Sequence, residues 1–159
     1  MSQRTRPYRS VLYIPGSKER ALEKAKTLPV DAIIFDLEDA VAPTEKENAR
    51  ILANALEAGD YGPRMRIVRI NDLSTEWGPA DAAAVKNMQA DAVLLPKVDS
   101  AAQVQALADI VGDMPIWAMM ETARGMLNAL EIASHPSLQG FVMGTNDLAK
   151  ELQSRFRAD

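Results

Sequence analysis

The sequence contains no cysteine and a single histidine, His135, among its 159 residues. Without cysteine the chain forms no disulfide, thiolate metal site or cysteine nucleophile. Any metal must therefore be held by oxygen ligands or by that one imidazole. His135 lies in a Ser-His-Pro turn after a predicted helix, and we expect it to be a surface turn residue rather than a base or a zinc ligand.

The sequence also lacks a long apolar run and a large excess of either charge. No stretch approaches the roughly 18 consecutive apolar residues that a membrane helix needs, and the N-terminal MSQRTRPYRS has no apolar signal core behind it. The net charge of −4 does not suit a protein whose main role is to bind nucleic acid. We therefore expect a cytoplasmic globular protein with neither a nucleic-acid nor a membrane partner.

What the chain does contain is one pattern used repeatedly. A short apolar run rich in β-branched residues is followed by a polar turn and then by a stretch with helical periodicity. This alternation is typical of a parallel sheet covered by helices, so the fold class is α/β. The six predicted strands span residues 10–15, 32–37, 65–70, 92–96, 115–120 and 140–144.

The segments after the strands carry helix start signals. Ser17, Ser100 and Thr44, with Glu47 three residues on, occupy positions where a helix N-cap is expected. The predicted helices span residues 18–27, 44–58, 80–89, 101–111, 123–134 and 148–156.

Two architectures fit this alternation, an open doubly wound sheet and a (β/α)8 TIM barrel. The strands recur at intervals of about 26 residues, so eight units would need about 210 residues, near the lower end for barrels. The chain holds six units. The residues alone therefore leave either an open sheet or a truncated barrel.

Charged side chains lie in or directly after the last residues of five predicted strands. A charge in a buried strand is costly unless a partner or ligand compensates it, and the carboxyl ends of parallel strands meet at the ligand site in both architectures. We therefore predict one shared site, the alternative being helix caps and solvated loop charges. The residues are Asp36, Glu38, Asp39, Arg69, Lys97, Glu121 and Asp147.

The alternation of side chains along a strand predicts the direction in which some of these residues point. Asp36 and Glu38 should point the same way and Asp39 away from them, while Arg69 and Asn71 should share a face.

The residue types predict a magnesium site. Mg²⁺ is bound through one or two carboxylates with water and substrate oxygens, which Glu121 and Asp147 would supply. The planar fork of Arg69 matches a substrate carboxylate beside the metal. The alternative is that Arg69 neutralises Glu38 or Glu121 in a structural ion pair.

At this point the motifs match a known family. The chain resembles the citrate lyase beta subunit and malyl-CoA lyase group of the aldolase/citrate lyase superfamily, and its GTNDLAKEL segment is most similar to the malyl-CoA thioesterase and lyase-like branch. The resemblance implies a Mg²⁺-dependent TIM barrel, of which this chain supplies about six βα units. The matching segments are RSVLYIPG from Arg9, FDLEDAVAP from Phe35, VRIN from Val68, LPKV from Leu95, ETARG from Glu121 and GTNDL from Gly144.

The resemblance implies a carbon–carbon lyase that cleaves a 3-hydroxyacyl-CoA thioester of the citryl-CoA or malyl-CoA type into an acyl-CoA and a 2-oxo acid. The partners would be an acyl-CoA thioester and a small 2-oxo acid, in a homo-oligomer such as a trimer or hexamer. Three alternatives stay open: a malyl-CoA thioesterase using the same site, a non-catalytic fragment that binds CoA or a keto acid, and a scaffold whose charges are structural.

The resemblance also implies roles for single residues. Glu121 and Asp147 would bind the magnesium, and Arg69 would hold the carboxylate or carbonyl oxygen of the keto-acid half. Asp36 and Glu38 would be catalytic residues near the water shell of the metal. The substrate contacts would come from Arg69, from the turn at Gly144, Thr145 and Asn146, and, at the CoA end, from Lys18, Lys24 and more weakly Arg9.

Family members continue beyond the segment represented here, through two further strand–helix units and a C-terminal segment that closes over the site. We therefore treat residues 1–159 as one incomplete barrel domain without those units and without the lid segment. Six units alone would leave the outer edges of the first and sixth strands unpaired, which predicts oligomer contacts or missing residues at those edges.

Overall fold

The structure is a computed structural model, and it describes residues 7–54 and 58–155. Six strands form a single parallel sheet in which each strand pairs with the next along the chain. The strands are β1 Val11–Pro15, β2 Ala32–Asp36, β3 Met65–Arg69, β4 Ala92–Leu95, β5 Ile116–Met120 and β6 Leu138–Met143.

Helices connect consecutive strands, and short 3₁₀ turns at Pro43–Glu45 and Ala58–Tyr61 flank the second helix. The helices are α1 Glu19–Ala25, α2 Lys46–Asn54, α3 Gly78–Val85, α4 Ala101–Val111, α5 Ala123–Leu127, α6 Ala129–Ala133 and α7 Thr145–Glu151.

The strand order decides between the two architectures. A doubly wound sheet reverses its order at a switch point, whereas this sheet runs from β1 to β6 without reversal. Because parallel crossovers are right-handed, connections that all advance in the same direction place all the helices on one face of the sheet. The open doubly wound alternative is therefore wrong, and the six units are those of a barrel-type sheet.

The core is divided by the sheet into two parts that reflect this arrangement. The larger part lies between sheet and helices and contains strand residues such as Phe35 and Val68 together with helix residues such as Leu107. The smaller part consists of residues from the strands alone, among them Ile34, Ile67 and other alternate positions. This second part lies on the face away from the helices, which corresponds to the inner face of a barrel.

The strands agree with the predicted bounds to within one residue except β6, which begins at Leu138 instead of residue 140. The predicted helix 123–134 is interrupted at Asn128. The last helix spans Thr145–Glu151 instead of the predicted 148–156; residues 152–155 are not helical, and residue 156 lies outside the described residues. Ser100 caps α4, with its N–H donating to Gln103 at 3.1 Å.

Two other predicted caps are wrong. Ser17 does not cap α1, because its hydroxyl donates to Glu45 at 3.2 Å, and Thr44 lies inside the 3₁₀ turn. Among the described residues, no helix is both long enough and apolar enough to cross a membrane.

Candidate functional site

A cavity of about 480 Å³ opens at the carboxyl edge of the sheet. Side chains from β1, β2, β3 and β5 line it, together with the segment that leads from β6 into α7. The structure therefore brings the predicted residues of four elements into one place. The polar lining consists of Tyr13, Asp36, Asp39, Arg69, Glu121, Thr145, Asn146 and Asp147.

Arg69 is buried at the centre of this edge, with only 5% of its surface exposed. Its Nε and Nη2 donate to the two carboxylate oxygens of Asp36 at 2.8 and 2.6 Å, forming a bidentate pair. Its side chain also stacks on Tyr13, with 5.1 Å between Cζ and the ring centre. Burial lowers the pKa of Arg69, but the Asp36 hydrogen bonds and the surrounding negative charges raise it overall. The guanidinium is thus held as a fixed positive charge.

The third nitrogen of Arg69 faces two further carboxylates. Nη1 lies 2.9 Å from Glu38 Oε2 and 3.4 Å from Asp39 Oδ2. The ion-pair alternative is therefore correct for Glu38, although the main partner is Asp36. The expectation that Asp39 points away is wrong, because β2 ends at Asp36 and strand alternation no longer applies beyond it.

Asp36 also organises the chain that follows β2. Its carboxylate accepts the backbone N–H of Glu38 at 2.8 Å and that of Ala40 at 2.9 Å. The turn is therefore fixed by the same side chain that fixes Arg69.

Lys97 joins Glu38 to Glu121. Its Nζ donates to Glu38 Oε1 at 2.8 Å, and its backbone N–H donates to Glu121 Oε1 at 2.8 Å. Burial raises the pKa of Glu38, against the lowering effect of Lys97 and Arg69. The backbone of Lys97 has φ of 50°, a conformation that non-glycine residues adopt at a cost. This geometry directs the amide of one residue and its side chain towards two different carboxylates.

Glu121 follows β5 and is 2% exposed. Burial raises its pKa, and the negative charges of Glu38 and Asp147 raise it further. Gly144 packs so closely against it that an added Cβ would lie 2.6 Å from Glu121 Oε2. Only glycine therefore allows the carboxylate to stand in this position.

Asp147 lies in the first turn of α7, half-buried, and lines the same cavity as Glu121. Within residues 7–54 and 58–155, its carboxylate accepts no hydrogen bond and forms no ion pair, and Glu121 Oε2 accepts no hydrogen bond either. The unpaired carboxylate of Asp147 near the buried carboxylate of Glu121 forms a set of oxygen donors whose negative charge a hard cation would balance.

The donors fit Mg²⁺ better than a metal that needs a closed protein cage. No group of three or more His, Asp or Glu side chains arranged to hold a metal occurs among the described residues. Two carboxylates with open space beside them match the preference of Mg²⁺ for few protein ligands and several water or substrate oxygens.

Several other predicted residues lie elsewhere. Lys18 pairs with Glu45 at 3.2 Å and its side chain is 57% exposed, and Lys24 is exposed on α1. Neither lines the cavity at Arg69. The weaker candidate Arg9 lies at the amino edge of the sheet, where its backbone N–H and its side chain donate to Asp31. His135 contacts Gln105 at 3.1 Å after α6, away from the site, as expected.

Sequence reasoning missed a second polar cluster behind the site, on the helix side of β2 and β3. Lys46 on α2 is 6% exposed and contacts Asn71, which in turn contacts the fully buried Asp81 on α3. The expectation that Asn71 shares the face of Arg69 is wrong, because Asn71 belongs to this cluster. The signal in the sequence was Asp81, a charged residue on the buried stripe of an alanine-rich helix.

Comparison with known proteins places this site in a family context. The chain is 66% identical over its whole length to a (3S)-malyl-CoA thioesterase of Cereibacter sphaeroides (strain ATCC 17025 / ATH 2.4.3), covering 56% of that protein. It is 36% identical to the citrate lyase subunit beta of Escherichia coli (strain K12), over 96% of the chain and 55% of the relative. The chain thus spans about half the length of the curated relatives it matches.

A solved structure shares the fold. The protein CitE of Mycobacterium tuberculosis, in complex with magnesium, acetoacetate and coenzyme A, superposes with a TM-score of 0.78 at 32% identity. The match covers 94% of this chain and 53% of the other.

These findings correct the predicted reaction. The prediction of a carbon–carbon lyase of the citryl-CoA or malyl-CoA type is wrong as the main reading, because the relatives at 64–66% identity over the full chain are named (3S)-malyl-CoA thioesterase. The citrate lyase subunits are more distant. The predicted family is confirmed, since a family model described as HpcH/HpaI aldolase/citrate lyase matches residues 9–158. The chain belongs to the HpcH/HpaI aldolase/citrate lyase family of enzymes.

Proposed function

We propose that the protein is a Mg²⁺-dependent thioesterase that hydrolyses (3S)-malyl-CoA to malate and CoA. The observation that carries this proposal is the cavity in which Glu121, Asp147 and the buried Arg69 come together. The 66% identity to a (3S)-malyl-CoA thioesterase supports hydrolysis as the reaction.

Glu121 and Asp147 are the residues that would hold Mg²⁺. A bound Mg²⁺ supplies Lewis-acid polarisation of a substrate oxygen and a template for orienting it. The described residues donate no hydrogen bond to the Asp147 carboxylate or to Glu121 Oε2, which leaves these oxygens for a cation, and Gly144 keeps the space beside Glu121 open. The magnesium in the CitE complex supports the same assignment.

Arg69 would bind the carboxylate of the malyl group. Two of its nitrogens are committed to Asp36 and Nη1 lies beside Glu38, so the guanidinium is held in one orientation at the cavity. Asp36 and Glu38 thus serve as positioning residues for Arg69. Gly144, Thr145 and Asn146 also line the cavity, and the substrate would pack against them.

The reaction consumes one water molecule. A bond forms between the water oxygen and the thioester carbonyl carbon, the carbon–sulfur bond breaks, and CoA leaves as a thiol after taking up a proton. Negative charge develops on the carbonyl oxygen in the transition state, and a positive charge fixed before the reaction stabilises it without reorganisation. The chain contributes the burial that keeps this edge in a low dielectric environment.

The CoA portion of the substrate would extend beyond the acyl cavity. The coenzyme A in the CitE complex supports a CoA thioester as the substrate class. Contacts from Lys18 and Lys24 to CoA phosphates, a homo-oligomeric state and a cytoplasmic location stay predictions.

Product analysis tests this function. The protein is incubated with (3S)-malyl-CoA and Mg²⁺, and released CoA is measured with a thiol reagent, to which this cysteine-free chain contributes no background. We expect equal amounts of CoA and malate, and loss of both on addition of a chelator. Formation of acetyl-CoA and glyoxylate without malate, or binding without turnover at saturating Mg²⁺, would contradict the proposal.

A further inference from the structure

Lys46 is a buried cation whose partners among the described residues include no carboxylate. Its Nζ donates to the backbone oxygens of Leu37 and Glu38, at 2.9 and 2.6 Å, and to the side-chain oxygen of Asn71, at 2.8 Å. An ammonium has three donors, and all three are used. The nitrogen also lies 5.3 Å from the centre of the Trp77 ring. A lysine that uses all three donors inside the protein fixes the groups around it, unlike a lysine whose ammonium is solvated.

The two backbone oxygens belong to the segment that leads from β2 into the site. Val41 N–H donates to the same Glu38 oxygen at 3.1 Å, so that carbonyl accepts from two donors. The side chain of Glu38 leaves the same residue and contacts Arg69 and Lys97. Fixing the carbonyls of residues 37 and 38 therefore fixes the direction in which Glu38 points.

The anchor behind Lys46 is itself rigid. Asn71 directs its Nδ2 to Leu37 O at 2.9 Å and to Asp81 Oδ2 at 2.6 Å, and Asp81 is fully buried. Arg50 closes the network on Asp81 Oδ1 at 2.7 Å. The network thus ties α2 and α3 to the ends of β2 and β3.

We propose that Lys46 is a positioning residue, which locks the turn at residues 37–38 and thereby holds Glu38 against Arg69 and Lys97. Lys46 acts from behind the sheet end and does not line the cavity at Arg69. The kinetic part of its test rests on the proposed function, whereas the exchange part does not.

The test compares Lys46→Met, which keeps the length of the side chain and removes its donors, with Leu107→Ala, which opens a hole in the core far from the turn. Both variants lose stability, the second through its cavity. Measurements are made at a temperature at which circular dichroism shows both to be folded. Hydrogen–deuterium exchange is followed in peptides covering residues 36–41, where the Glu38 and Ala40 amides bond to Asp36.

We expect Lys46→Met to raise exchange in residues 36–41 at least about tenfold, and to lower kcat for malyl-CoA hydrolysis by about tenfold to 100-fold with little change in KM. Leu107→Ala should change neither quantity. Unchanged exchange and unchanged kcat in folded Lys46→Met would overturn the proposal.

A second variant keeps the test decisive if Lys46→Met does not fold. Asn71→Ala removes one of the three acceptors, and we expect faster exchange in residues 36–41 and a lower kcat, both smaller than for Lys46→Met. Wild-type exchange and kcat in this variant would overturn the proposal. If the wild-type protein releases no CoA, the proposed function fails, and the exchange data alone decide the role of Lys46.

Discussion

The two edges of the sheet carry arginine–aspartate pairs of similar geometry and different surroundings. At the amino edge, Arg66 forms a bidentate pair with Asp91 at 3.0 and 2.7 Å, and the Asp91 side chain is 40% exposed. At the carboxyl edge, Arg69, three residues further along β3, pairs with Asp36, which is 1% exposed. The pairing is therefore of the same type at both edges, and the burial of the aspartate distinguishes them.

Charge balance differs as well. At the amino edge the ion pairs among the described residues include Arg66 with Asp91 and Arg9 with Asp31. At the carboxyl edge Arg69 faces three carboxylates, of which Glu38 also pairs with Lys97, and Glu121 and Asp147 add two more nearby. Buried surplus charge destabilises a fold unless a ligand compensates it. The excess of carboxylates at the carboxyl edge thus indicates a binding site.

The largest expected effect comes from removing the buried arginine. Arg69→Met leaves Asp36 buried without its cation and leaves Glu38 paired with Lys97 alone, so the free energy of unfolding should fall by about 3–5 kcal/mol. Hydrolysis of malyl-CoA should fall by about 100-fold or more. Urea unfolding and kcat/KM measure the two effects.

Arg66→Met is the matched control on the same strand. Its partner Asp91 reaches solvent, so the variant should lose at most about 1 kcal/mol and keep wild-type activity. Equal losses of stability or activity in both variants would mean that burial does not distinguish the two edges.

The next effect concerns metal affinity. Glu121→Gln and Asp147→Asn each remove one charged oxygen ligand, so each should weaken Mg²⁺ binding at least about tenfold, or about 1.4 kcal/mol. Isothermal titration calorimetry measures the affinity. Asp91→Asn, at the amino edge, should bind Mg²⁺ as the wild type does, and unchanged binding in the two site variants would remove them from the metal site.

Gly144→Ala tests the packing behind Glu121. The new Cβ would lie 2.5 Å from Glu121 Cβ, so the carboxylate must move. We expect about 1–3 kcal/mol of destabilisation together with weaker Mg²⁺ binding. Gly112→Ala is the control, because φ of 67° there strains the backbone without any atom within 4 Å. It should lose stability with unchanged metal affinity, and equal metal affinity in both variants would contradict the close approach.

The smallest expected effect lies at the amino edge and depends on pH. Hydrogen bonds from Arg9 lower the pKa of Asp31 from 3.8 to about 2. A carboxylate with a lowered pKa in the folded state stabilises the protein above its ordinary pKa, and this contribution is lost as the pH falls from about 4 to 2. Asp31→Asn should flatten the dependence of unfolding free energy on pH in that window. A variant curve parallel to that of the wild type would show that Arg9 does not stabilise the ionised form.

Much of the fold could be predicted because it follows from local pattern. Five of six strands begin within one residue of their predicted start, since buried parallel strands are continuous apolar runs. The break at Asn128 and the early start of α7 depend on packing and capping, which periodicity does not encode. The choice of a barrel-type sheet needed the strand order.

The candidate site could be predicted in part for the same reason. Residues directly at strand ends, such as Asp36 and Arg69, follow from the rule that carboxyl ends converge. The predicted direction of the Asp39 side chain is wrong because the alternation of side chains ends with β2, at Asp36. Lys46 was given no role, because a lysine on a helix that is buried behind the sheet end has no local signature in the sequence. The position of Lys97 after β4 predicted its place at the site, but the bond of its amide to Glu121 depends on a positive φ that the sequence does not encode.

Crystals soaked with Mn²⁺ and malate test the central claim most directly, because anomalous scattering locates the ion. We expect one peak at the carboxyl edge, with oxygens of Glu121 and Asp147 at about 2.1–2.2 Å and a malate carboxylate within hydrogen-bond distance of Arg69. An ion held by other residues, or a malate bound away from Arg69, would contradict the account.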